Sequence, residues 1–178
     1  MIYGFFGTVG SGKTITMTKY AYFYYLLGYN IYANYWLSFE HTPVTKEFLV
    51  RIVEENIDLG DNNVFILDEI DMYVDSRKSM KSDNIMITYL IKQVRKKDIK
   101  ILYSSQYEHS VDRRLRDLTA KEFLCRSRFL PIKYEGETFD LLMVYNDIYS
   151  QQHHIGNKRF CANPYFEMYD TRQLITPD

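Results

Sequence analysis

Residues 7–14 read GTVGSGKT, a G-x-x-x-x-G-K-[ST] pattern, and they stand between an apolar strand-like run and a helical one. The run ahead, IYGFF at 2–6, suits a short buried strand. Residues 12–27 behind it suit a helix that ends at Gly28 as a C′ glycine. Gly7, Gly10 and Gly12 let the amides of Thr8, Val9 and Ser11 close around an anion with no Cβ in the way. The helix N-terminus adds the positive end of its dipole. This pattern predicts an ATP phosphate cradle in which Lys13 bridges the β- and γ-phosphates and the Thr14 hydroxyl binds Mg²⁺.

A second stretch, FILDE at 65–69, is a continuous apolar run closed by two acids, as expected of a central parallel strand. Asp68 is expected in the Mg²⁺ shell and Glu69 as the general base on the attacking water. Asp71 reads as solvated and receives no role. Gln106 ends the strand IKILYSSQ at 99–106, which is expected between the cradle strand and the acid strand, where it senses the γ-phosphate or orients the water. Arg95 lies 11 residues earlier, in a helix capped by Asn84. It reads as an arginine finger acting in trans, or as a solvated face beside Lys92, Lys96 and Lys97. Arg113, Arg114 and Arg116 (VDRRLRD) have three readings: a second group acting in trans, a DNA phosphate contact, or a surface helix salt-bridged with Asp112 and Asp117.

The rest of the chain supplies the frame. Residues 29–33 read as a strand with Asn34 at its carboxyl end, 38–43 as a polar turn, and 45–55 as a helix. Residues 75–84 read as a charged, Ser-rich loop before the helix expected at 84–97. After a short helix at 111–118, strand-like runs follow near 122–129, 139–145 and 165–169. The fold class expected is α/β, a RecA-like (ASCE) P-loop NTPase with a mainly parallel sheet flanked by helices. All 178 residues form one domain, with a core at about 1–120 and a β-rich C-terminal extension at about 121–178.

A formal net charge of −1 excludes a polycationic nucleic-acid coat, so any DNA contact is local. The 17 Tyr and 11 Phe suit core packing, subunit contacts or base stacking, and composition does not choose among them. Cys125 and Cys161 form no C-x-x-C pair and read as buried free thiols. No stretch approaches the ~18 apolar residues of a membrane span. The N-terminus runs straight into the phosphate motif, so no cleavable leader and a cytoplasmic location are expected.

Taken together these residues resemble the FtsK–HerA superfamily of hexameric DNA pumps. RKKDIKILYSSQ at 95–106 is similar to that family's arginine, turn, strand and Ser/Thr-Gln signature. DEIDMYVDSRKSM at 68–80 and MYDTRQLI at 168–175 resemble small viral genome-packaging ATPases and the ATPase domain of zonula occludens toxin-like phage proteins. The resemblance implies the roles above for Lys13, Thr14, Asp68, Glu69, Gln106 and Arg95, with ATP and Mg²⁺ as cofactors. It also implies a homo-oligomeric ring, a hexamer, with double-stranded DNA in its channel and capsid or portal proteins as further partners. The function implied is translocation of DNA into a capsid. Three alternatives stand beside it. One is a phage assembly or conjugation ATPase moving single-stranded DNA or protein. Another is a thymidine-kinase-like phosphotransferase, whose usual four-cysteine zinc site two cysteines cannot make. The last is a non-hydrolysing switch, against which Glu69 argues.

Overall fold

Ile2–Phe6 (β1) is buried at all five positions, because an apolar run without charge is stable only in a strand covered on both faces. The computed structural model describes residues 1–55, 57–72 and 99–170. After β1 come α1 (Lys13–Leu26), β2 (Asn30–Ala33), β3 (Thr42–Pro43), α2 (Lys46–Glu54) and β4 (Asn63–Leu67). Then follow β5 (Lys100–Ser105), α3 (Arg113–Asp117), β6 (Lys121–Tyr134), β7 (Glu137–Ser150) and β8 (His153–Cys161). The strands form one sheet in the order β3-β2-β4-β5-β1-β6-β7-β8. Pairing is parallel from β3 to β6 and antiparallel across β6, β7 and β8. The expected α/β architecture is present, with β5 between the cradle strand β1 and the acid strand β4.

Alternation along β1 sorts its side chains between two cores. Tyr3 and Phe5 join Met17, Ala21 and Tyr24 of α1, whereas Ile2 and Phe6 join Leu49 and Ile52 of α2 and Leu115 of α3. Much of the aromatic load lies here. Phe5 stacks on Phe123 of β6 at 4.6 Å, and the Tyr20 ring meets Phe123 edge-on at 5.5 Å. β6 is therefore bound into the parallel core, and residues 121–161 continue the same sheet.

Three local expectations change. Residues 165–169 are not a strand: Asn163–Met168 is a 3₁₀ helix with Pro164 in its first turn, and β8 forms instead from HHIGNKRFC. An edge strand with one neighbour needs no apolar alternation, so its sequence carried little strand signal. The turn at 38–43 contributes two residues, β3, that pair with β2. Both cysteines are free, yet only Cys125 is buried; Cys161 is half-buried. The helix expected at 84–97, with Arg95, lies outside the described residues.

Phe5→Ala should lower stability by about 3–5 kcal/mol, because Phe5 is fully buried and the stack on Phe123 cannot collapse into the cavity. The shift of the urea midpoint measures it.

Candidate functional site

Parallel strands bring their carboxyl ends to one rim, so the residues following β1, β2, β4 and β5 meet there. After β1 the chain turns through Gly7 at φ 145°. A Cβ here would lie 2.6 Å from Ser11 Oγ and 2.7 Å from the Cys125 carbonyl oxygen, so only glycine fits. Gly12 opens α1 in the left-handed region, and a Cβ on it would meet Val144 at 2.9 Å. The loop is thus pressed between α1 and the strands of the extension. Ser127 Oγ of β6 also donates to the Gly10 carbonyl at 2.7 Å, while Val9 stands exposed at the crown.

Lys13 is 7% exposed and folds back over the loop, its Nζ donating to the carbonyls of Gly7 (2.9 Å) and Thr8 (3.1 Å). Thr14 Oγ1 donates to Asp68 Oδ2 at 2.7 Å, which joins the first turn of α1 to the end of β4. Asp68 is 5% exposed and held from every side. Ser104 Oγ donates to its Oδ1, Asn34 Oδ1 accepts its amide at 2.8 Å, and Asn34 Nδ2 donates to its carbonyl at 2.8 Å. Burial pushes the Asp68 carboxyl above the usual range. Hydrogen bonds from Ser104 and Thr14 and the charge of Lys13 work against that.

Glu69 follows in the left-handed region at φ 50°, a conformation that costs a non-glycine residue about 1 kcal/mol or more. Its amide donates to Ser104 Oγ at 2.9 Å, which helps hold the turn. The half-buried carboxyl is raised by desolvation, then by the charges of Asp68 and Asp71, and lowered by Lys13. Asp71 is not simply solvated, for its Oδ1 is buried without a hydrogen-bond partner among the described residues. Gln106 lies one residue beyond β5 and lines a cavity of 530 Å³ with Gly7, Thr8, Glu108 and Leu124.

The rim thus gathers Gly7 to Thr14, Asp68, Glu69 and Gln106. Arg113, Arg114 and Arg116 are not part of it. They pair with Asp117 (3.4 Å), Asp112 (2.8 Å) and Glu108 (3.7 Å). Asn34 and Ser104 received no role from the sequence. No sequence signal marked them, since neither has an acid beside it in the chain and Asp68 is reached only across the sheet.

Chemically, the glycine cradle with its folded lysine suits a polyanion, and the hard oxygens of Thr14 and Asp68 suit a small divalent cation. Glu69 adds a carboxylate of raised pKa beside them.

The N-terminal domain of zonular occludens toxin from Neisseria meningitidis matches with a TM-score of 0.63 over 95% of this chain and 98% of that one, at 13% identity. This chain has the P-loop NTPase fold. The flagellar accessory protein FlaH from Methanocaldococcus jannaschii matches this P-loop fold at a TM-score of 0.50 and 14% identity, over 89% of this chain and 84% of its own. No family model matches the chain. No curated protein matches it either.

Asn34→Ala leaves the buried Asp68 amide and carbonyl without their partner. It should cost about 2–4 kcal/mol by chemical denaturation, the scale of two unmet buried groups.

Proposed function

We propose that this chain is a Mg²⁺-dependent ATPase that moves double-stranded DNA as a homo-oligomeric ring. The observation that carries hydrolysis is the meeting of Lys13, Thr14, Asp68 and Glu69 on one rim, tied by the Thr14–Asp68 hydrogen bond. Lys13 exchanges the Gly7 and Thr8 carbonyls for the β- and γ-phosphates, and the loop amides from Gly7 to Thr14 hold the same oxygens. Thr14 and Asp68 would hold the metal. Bound Mg²⁺ supplies charge neutralisation on the phosphates. Glu69 accepts the proton of the attacking water, and its raised pKa makes it a stronger base than an exposed carboxylate. Gln106 faces the loop from the next strand and orients that water.

The DNA cargo rests on the resemblance of residues 95–106 to the FtsK–HerA signature, with Arg95 as the finger reaching a neighbour's nucleotide. A hexamer, a viral capsid or portal as docking partner, and a cytoplasmic setting belong to the same reading. Among the described residues no helix is long and apolar enough to cross a membrane. A second reading, a phage assembly ATPase with single-stranded DNA or protein as cargo, is favoured by the full-length likeness to the zonular occludens toxin domain.

Lys13→Ala should abolish ATP binding in a folded protein. Glu69→Gln should still bind ATP, with turnover reduced ~100-fold or more, as for loss of a general base. A normal rate in Glu69→Gln would refute the assignment. ATPase stimulation by double-stranded over single-stranded DNA separates the two cargo readings. Arg95→Ala and Glu69→Gln chains, each inactive, should regain part of the activity when co-assembled, since a finger in trans contributes roughly 10³–10⁵ in rate.

A further inference from the structure

β6 and β7 run on well past their neighbours. β1 pairs with β6 only as far as Leu124, opposite Phe6, and β8 pairs with β7 only from Met143 onward. Beyond these points a two-stranded arm continues to the turn at Glu135 and Gly136. From Phe129 to Tyr134 the two-stranded part spans roughly 20 Å at the rise of a strand. Register puts Leu130 opposite Leu141 and Ile132 opposite Phe139, with Tyr134 next along the same face. Ile132 is 45% exposed, Phe139 47% and Tyr134 65%. A lone hairpin with one apolar face is marginal in water, so the arm calls for a cover.

A groove of complementary character lies beside α1. Its volume is 440 Å³, between α1, β8 and the Asn163–Met168 turn, and Lys19, Tyr22, Phe23, Leu26, Lys158 and Tyr165 line it. Phe23 and Leu26 are exposed. Neither lysine pairs with a carboxylate among the described residues, and burial together with the charge of Lys158 depresses the Lys19 ammonium. The arm tip has the opposite charge, with Glu135, Glu137 and Asp140 against Lys133.

We propose that the β6–β7 arm of one copy docks in the α1–β8 groove of a second copy. The arm cannot fill its own groove. Lys158 of the groove is level with Asn146 of β7, and Glu137 at the arm tip lies nine residues farther along that strand, roughly 30 Å away. Such a contact is heterologous, arm to groove, and repeats around a ring if the rotation closes. The inference rests on the ring assembly proposed above and names its surfaces.

The test is sedimentation of the full chain over a range of concentrations. Wild type should self-associate, and Ile132→Ser with Phe139→Ser should raise the dissociation constant ~100-fold or more, as loss of interface anchors does. Lys158→Glu should weaken assembly from the opposite surface, and adding Glu137→Lys to the same chain should restore it. Wild type that stays monomeric would overturn both this contact and the ring. Wild type that assembles no better than the arm variant would overturn the contact alone. Dependence on the arm with indifference to Lys158→Glu would overturn the groove as its seat, as arms pairing with arms would give.

Discussion

A carboxylate buried at the end of a central strand is the constraint on which the rest of this structure depends. An isolated buried charge is strongly unfavourable, so Asp68 is tolerated only where hydrogen bonds and a cation surround it. The donors come from separate elements: Thr14 from the first turn of α1, Ser104 from β5, and Asn34 from beyond β2. They converge only when β2, β4, β5 and β1 lie in that order with parallel direction. Sheet order and site are therefore one requirement. Any other strand arrangement would leave Asp68 charged and unpaired.

The same site is closed from the opposite side by strands that hold none of its acids or its lysine. β6 brings the Cys125 carbonyl against Gly7 and the Ser127 hydroxyl onto Gly10, and β7 brings Val144 against Gly12. The loop geometry is over-determined: glycine conformation lets it turn, and the extension stops it opening. The aromatic load strengthens this clamp, since Phe123 of β6 packs on both Phe5 of β1 and Tyr20 of α1. The positive φ of Glu69 is held in the same way, by the Ser104 hydroxyl on its amide. Strain at one residue persists because its neighbours fix the alternative less well.

Different parts of the molecule were legible to different degrees, for identifiable reasons. Apolar runs identified β1, Val64–Leu67 of β4 and Ile101–Tyr103 of β5, because burial on both faces favours apolar side chains along them. Edge elements escaped. β8 is solvated on much of its length and so carries no alternation, and the two-residue β3 is too short to impose any. Asn34 and Ser104 went without a role because a single small polar residue has no pattern of its own, and its importance comes entirely from what lies across the sheet.

Sequence alone determined the glycines, lysine and threonine of residues 7–14, the paired acids after β4, and the α/β alternation that sets them at strand ends. These are local matters, decided by spacing, φ and the burial each segment can bear. Tertiary structure alone decided which donors meet Asp68, that Arg113, Arg114 and Arg116 turn to nearby acids, and that β6 and β7 outrun the sheet as an exposed arm. Those outcomes depend on strand order and on the length of neighbouring strands. Contacts between residues distant in the chain have no signature within either segment taken by itself.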